Sequence, residues 1–433
     1  MMIFEEQSEI RKILSNTRLP KFALVKQNFK DDEIKDVPAY LNEKLNDPEL
    51  ISRIKPGMKV VLTGSSREIA NMPVILREVG RFVKRCGAQP YIIPAMGSHG
   101  GATDEGQKEL LESYGITEEF CECPIFSSME TVRVGYVGDD EVRMDRFAHE
   151  ADAIILVGRI KGHTAFRGVY ESGMAKMMAI GLGKREGADS LHKYGFGKMG
   201  ERIPLFAKVV FDNCNIIFGV APIENERDKT CRIEVIKAEE IFDKEPDLLL
   251  YAKSRMPRIM LPETDIMVVR EIGKNFSGSG MDPNVTGTFA TPFASGGIKK
   301  QRTVVLDISE ESHGNYLGLG NADTTSLRAF NKIRTNGCYA NMLTSTVVTV
   351  GKIPMILEDD ELAIRTAVKL MNEGDRENPR IVYIKNTLSL EKILVSEAHM
   401  DEVRSNPDME ILEEPRPLNF DEHGNLLDFM HKI

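Results

Sequence analysis

Apolar residues come in two rhythms along this chain. Met58–Thr63 (MKVVLT), Tyr91–Met96, Ala153–Val157 (AIILV) and Ile216–Val220 (IIFGV) are short, nearly unbroken apolar runs, the pattern of strands covered on both faces of a parallel sheet. Between the first two, Val74, Ile75, Val79, Phe82 and Val83 recur at helical spacing over Asn71–Cys86, and Gly87 is placed to stop the helix. This strand–helix–strand unit predicts two parallel neighbours joined by a right-handed crossover. A Met- and Ala-rich stretch from about Glu171 to Leu182 reads as a buried helix. Further helices are expected over Lys237–Asp243 and, with Pro246 in its first turn, on to about Ser254.

Two prolines in Pro257–Pro262 mark a change of character. Beyond them lie strands at Asp265–Arg270, Thr303–Ile308 and Arg380–Ile384, with helices at Ser326–Arg334 and Glu361–Met371. The expected fold class is α/β, with two α/β domains, mostly parallel sheets and an active-site cleft between them. Residues 1–257 are expected to carry cofactor and catalytic groups and 258–406 to complete the substrate cleft, with the tail 407–433 packing back on the first domain.

Composition narrows the class. The 433 residues are 42% hydrophobic and 28% charged, as expected of a soluble globular protein with more than one domain. A formal charge of −10 argues against bulk nucleic-acid binding. No apolar run approaches a bilayer span, and the opening MMIFEEQSEIRK has no signal-like apolar core. Six irregularly spaced cysteines do not read as a disulfide framework and favour a reducing, cytoplasmic setting with neither membrane nor nucleic-acid partners.

The candidate chemistry gathers in loops that follow strands. Arg67 lies after the first strand, His99 in GSHGGAT (97–103), and His163 in KGHTAFRG (161–168). Imidazole serves as a base near neutral pH, as a metal ligand or as a structural hydrogen-bonder, and all three readings stay open for each histidine. Lys176 sits among Met174, Ala175, Met177 and Met178, where an ammonium is costly unless paired, modified or snorkelling to water. A continuous helix from Lys176 to His192 would span roughly 24 Å. For both to reach one small cofactor it must break, and Gly181, Gly183 and Gly187 offer places.

GLGKREG (181–187) has the look of a phosphate loop without the Walker spacing or the Ser/Thr after lysine. GSGMDPNVTG (278–287) reads equally as a site for substrate hydroxyls or as a turn-rich connection. The Cys121–Cys123 pair has no partner motif for structural metal. His313, His399, His423 and His431 are taken as structural or surface residues.

Taken in order, Arg67, His99, His163, Lys176 and His192 resemble the lactate racemase superfamily, enzymes that use a nickel-pincer nucleotide. The sixteen-residue step from Lys176 to His192 carries much of the likeness. The resemblance implies a racemase or epimerase inverting C2 of a 2-hydroxy acid. Lys176 would tether the cofactor (the pyridinium-3-thioamide-5-thiocarboxylic acid mononucleotide) through a thioamide, and His192 would ligate its Ni(II). Arg67 would bind the substrate carboxylate, and His99 and His163 would be acid/bases on opposite faces of the substrate. Partners implied are the small-molecule substrate and, transiently, the cofactor-biosynthesis proteins.

The chain departs from the lactate enzymes in ways that concern substrate. Gly100 stands where they have arginine, ESGMAK replaces an SGGRK-like approach to the lysine, and His163 to Lys176 is three residues longer. Lys274 and Asn275 are the substrate-binding candidates in the second domain. With Asp282 and Asn284 nearby they point to a larger or more polar acid than lactate, such as an aldonate or hydroxy dicarboxylate. The competing functions are a Schiff-base lysine aldolase or dehydratase acting on sugar acids, and a non-catalytic metabolite-binding protein.

Overall fold

In the computed structural model, which describes residues 7–427, strand β1 (Phe22–Gln27) joins the later half of the chain rather than its sequence neighbours. Among the described residues, 7–30 form one unit with 257–427, and Asp31–Met256 form the other.

The Asp31–Met256 unit is built on β2 (Lys59–Gly64), α1 (Met72–Arg85), β3 (Gln89–Pro94), α2 (Asp104–Ser113), the hairpin β4 (Thr131–Val137) and β5 (Asp140–Asp145), β6 (Ala153–Val157), α3 (Lys184–His192), α4 (Met199–Asn213), β7 (Ile216–Glu224), β8 (Thr230–Lys237) and α5 (Ile241–Ser254). Its sheet runs β3-β2-β6-β7-β8. The first four strands in that order are parallel, and β8 is an antiparallel edge. All five residues of β6 are buried, as a strand covered on both faces requires. Helix α1 starts with Pro73 in its first turn, where a missing N–H costs nothing, and buries Ile75, Leu76, Val79, Phe82 and Val83 against the sheet. Each such side chain is worth about 2 kcal/mol on leaving water.

One helix, α5, replaces the two expected around Pro246, and the proline lies inside it. Proline there cannot donate to the carbonyl four residues back, that of Phe242. Tyr170 satisfies it instead, its hydroxyl donating to Phe242 O at 2.7 Å.

In the other unit, β9 (Ile266–Val269), β10 (Arg302–Val305), β11 (Thr324–Ser326), β12 (Met355–Leu357), β13 (Ile381–Ile384), β14 (Lys392–Ser396) and β15 (Met409–Arg416) join β1 in the order β12-β11-β10-β9-β13-β14-β1-β15. The run from β12 to β13 is parallel, and β14, β1 and β15 continue it antiparallel. Helix α6 (Asp360–Lys369) buries Leu362, Ala363, Ile364, Ala367 and Val368 in this unit's core.

In the tail, residues 409–416 pair with Phe22–Gln27 in this sheet, where β15 satisfies backbone groups along β1. His399 is structural, fully buried between Glu402 (2.6 Å) and Thr264 (3.2 Å), while His431 lies outside the described residues. All six cysteines are free, and no described helix is long and apolar enough to cross a membrane.

Candidate active site

Strand order places the loops that carry three of the candidate groups at one end of the sheet. The loops after β3, β2 and β6 leave one edge of the parallel sheet, and they carry His99, Arg67 and His163 respectively. The strand leading to Arg67 lies between the other two. The two histidines are therefore delivered from either side of the arginine, beyond the carboxyl ends of the strands, where open α/β sheets form their crevices.

Lys176 comes to the same place through a broken helix. Residues Met174–Lys176 make one α-turn, Met177–Gly181 widen into a π-turn, and α3 then runs to His192. The break falls at Leu182–Lys184, not at a glycine conformation: Gly183 has an ordinary φ of −73° while Lys184 takes +52°. Gly181 is needed for another reason. A Cβ there would lie 2.7 Å from Ala95 O, so only glycine lets this segment pass the end of β3.

Electrostatics shows which groups sit together. Burial drives the His163 pKa well below the usual imidazole value, and the nearby charges of Lys176, Arg67, Arg167 and His192 add to it. The near-neutral pKa expected of an acid/base histidine is thus not what this environment gives His163. Desolvation, then Arg67, lowers Lys176 to about 8, against a weak opposing pull from Glu171. Desolvation also lowers Arg67, with Arg159 adding to it. These side chains keep surface that water reaches, although desolvation leads each shift. Among the described residues Lys176 Nζ makes no hydrogen bond or ion pair, and Arg67 donates only to Ser66 O at 3.0 Å.

The imidazoles are set in different tautomers. His99 Nδ1 lies 2.7 Å from Met96 O, and a carbonyl only accepts, so Nδ1 carries the proton and Nε2 the lone pair. His163 Nδ1 accepts from Ala165 N at 3.1 Å, so the neutral ring carries its proton on Nε2. The His163 ring lies 4.3 Å from Phe166 and 6.2 Å from Phe196, and Phe196 also packs 5.8 Å from His192.

Two acids organise these loops, and sequence reasoning assigned a role to neither. Glu171, fully buried, accepts from His163 N at 2.7 Å and from Lys253 at 2.6 Å, tying the His163 loop to α5. Its only signal was a charge in an otherwise small and apolar segment. Glu245, 1% exposed, accepts from Ala175 N at 3.0 Å and caps the turn that holds Lys176. Desolvation raises Glu245 to about 7. A carboxyl raised on folding contributes stability that is full below its unfolded pKa of 4.5 and lost as pH rises through 7. Glu245→Gln should therefore stabilise the chain at pH 8 by on the order of 3 kcal/mol and change little near pH 4.5. Denaturant melts at the two pH values check this, and a pH-independent difference would contradict it.

Gly100, where the lactate enzymes have arginine, has a backbone reason here. It takes φ +64°, and a Cβ would lie 2.6 Å from the backbone of Gly106 in α2, so no side chain fits. The second-unit candidates lie in the loop after β9. Lys274 Nζ donates to Gly278 O at 2.6 Å, and Asn275 Oδ1 accepts from Ser309 Oγ at 2.7 Å. Asp282 caps the helical turn Pro283–Thr286, accepting from Asn284 N at 2.9 Å and Asn284 Nδ2 at 3.0 Å. That pair serves the turn as well as any ligand.

Residues 7–202, which hold Arg67, His99, His163, Lys176 and His192, match the lactate racemase N-terminal domain. The structure of a lactate racemase apoprotein from Thermoanaerobacterium thermosaccharolyticum is similar with a TM-score of 0.50 at 13% identity, covering 85% of this chain and 99% of that one. A structural-genomics protein from Thermotoga maritima is similar with a TM-score of 0.51 at 14% identity, covering 83% and 98%. At these identities the structural likeness is one of fold. No curated protein matches the chain in sequence.

Proposed function

We propose that this chain, a divergent member of the lactate racemase superfamily, is a racemase or epimerase inverting C2 of a 2-hydroxy acid. The observation that supports the reading is the placement of His99 and His163 in loops after the two strands that flank the strand leading to Arg67. Inversion needs a base on one face and an acid on the other. His99 Nε2 offers a lone pair, and His163, carried after the strand on the other side of the one that leads to Arg67, would donate from Nε2 once its ring is protonated. Arg67, without a carboxylate partner among the described residues, would clamp the substrate carboxylate in its planar fork.

The donor set fits the nickel-pincer nucleotide. Lys176, lowered to about 8 and without a bonding partner among the described residues, has an accessible neutral amine of the kind a covalent tether needs. Among the described residues no three His, Cys, Asp or Glu side chains gather as a metal site; a nickel ion at His192 would take its other donors from the cofactor. When bound, that cofactor would supply a reversible hydride acceptor for C2. His99 or His163 would take the hydroxyl proton on one face, and the opposite imidazole, in its protonated form, would supply a proton after the substrate reorients. The Arg159–Glu224 ion pair next to Arg67 adds polar groups, and favours an aldonate or a hydroxy dicarboxylate over lactate. We place the protein in the cytoplasm, where cofactor-biosynthesis proteins would load it.

The test is co-expression with pincer-biosynthesis enzymes, followed by intact mass, nickel analysis and a chiral screen of 2-hydroxy acids. His192→Ala should keep the adduct on Lys176 while nickel falls from about one per chain to near none; unchanged nickel would remove His192 from the ligand role. The low Lys176 pKa also suits an imine-forming aldolase or dehydratase on a sugar acid. Borohydride trapping of substrate on Lys176 in the cofactor-free chain would favour that reading over ours.

A further inference from the structure

The glycine-rich GLGKREG segment turns out to hold no free lysine. Lys184 is fully buried, and its Nζ donates to Pro94 O at 2.5 Å and to Gln107 Oε1 at 3.0 Å, with the Asp145 carboxylate 3.0 Å away. Desolvation pulls Asp145 up and Lys184 down from their ordinary values, and each is the main charge opposing the other's shift. A phosphate would have to displace all three partners. The residue's φ of +52° is left-handed, a strained setting for a side chain with a Cβ. It persists here because these three contacts over-determine it, at the break that turns the chain from Lys176 towards His192.

Gln107 extends the network. It is fully buried in α2, and its Nε2 donates to Gly97 O at 2.8 Å and to His99 O at 3.2 Å. The orientation of this amide is forced. An ammonium only donates, so Oε1 must face Lys184; the two carbonyls only accept, so the NH2 group must face the His99 loop. Backbone bonds reinforce the connection, with Gly97 N donating to Gly181 O at 3.2 Å and Asp145 N to Leu182 O at 2.7 Å. One side chain thus links the helix break behind His192 to the carbonyl of His99 itself.

We propose that Gln107, oriented by buried Lys184, is a positioning residue that holds the His99 loop in register with the Lys176–His192 segment. The catalytic part of this inference rests on the racemase reading; the brace itself does not. Gln107 touches no reacting atom, so its effect passes through the aim of His99. A misplacement of about 1 Å at a reacting group can cost on the order of 10²-fold in rate.

Gln107→Glu separates the two jobs. The carboxylate still accepts from Lys184, so the buried cation stays paired, but it offers no N–H to Gly97 and His99. In the cofactor-loaded full chain the adduct on Lys176 and the nickel content should stay near those of the parent, while the melting temperature should fall, since Lys184 already faces Asp145 and a second buried carboxylate is left uncompensated. Amide exchange over residues 97–103 should quicken, and kcat should fall on the order of 10²-fold with KM little changed. Unchanged exchange in that loop, or a loosened loop with parental kcat, would overturn the proposal. Should Gln107→Glu fail to fold, selective 15N-glutamine labelling of the unmutated chain tests the brace directly. The Gln107 side-chain amide protons should then exchange as slowly as those of the central strands, and fast exchange would refute the brace. If the parent holoenzyme racemises no 2-hydroxy acid while the loop responds as stated, the brace stands and the functional reading fails.

Discussion

Lys176→Arg is expected to give a folded chain that carries no cofactor. The side chain at this position makes no hydrogen bond or ion pair among the described residues, so its replacement breaks none there. What changes is chemistry. Lysine here is lowered to about 8, chiefly by desolvation, and presents a neutral amine to an acyl group within reach of physiological pH. Arginine stays charged at any pH the protein survives and forms no such tether. Intact mass after co-expression with pincer-biosynthesis enzymes should show the adduct on the parent and its absence from the variant. Racemisation should disappear with it. An adduct of the same mass on Lys176→Arg would place the tether elsewhere and sink the assignment. Lys176→Met adds a control on the electrostatics: with that cation gone, the second-ranked cause of the low His163 pKa is removed, and His163 should titrate closer to the ordinary imidazole value.

How far the sequence could lead depended on the range of the interactions. The unit from β2 to β3 was legible because its strand, helix and strand are adjacent and each declares itself by its own apolar period. The same locality made Arg67, His99 and His163 readable as strand-end residues. Strand β1 was not legible, since its partners lie hundreds of residues away: Phe22 stands opposite Ser396 and Arg416. The place of the tail is hidden for the same reason. The helix through Pro246 defied its local rule through a single distant hydroxyl, that of Tyr170.

At the site, the step from Lys176 to His192 foretold that the helix must break, and the break includes Gly183, one of the glycines that suggested it, although its left-handed residue is Lys184. Lys184 bends the chain because three buried partners hold it there, and nothing in the order of residues reveals Asp145 or Gln107 as those partners. The low pKa of His163 was hidden likewise, being the sum of burial and charges that only folding assembles.

His163→Gln and His99→Asn are expected to abolish racemisation in both directions while leaving the cofactor and nickel in place. The two changes are chosen by tautomer. Glutamine at 163 can present an N–H near where Nε2 carries its proton, and asparagine at 99 can present one towards Met96 O in place of Nδ1. Hydrogen bonding is thereby kept in kind, and the capacity to take up and release a proton is lost. Removing a positioned acid/base costs on the order of 10²–10⁴-fold in kcat, and KM should move little because Arg67 still holds the carboxylate. In the proposed scheme each imidazole would be base in one direction and, as imidazolium, acid in the other, so a single loss must slow both directions alike; the equilibrium constant between the two stereoisomers does not depend on the catalyst. Single-turnover measurements starting from each stereoisomer, on samples matched for adduct and nickel, read this directly. Near-parental turnover in either variant would leave only one imidazole in the chemistry, and the opposed-base arrangement around Arg67 would have to be abandoned.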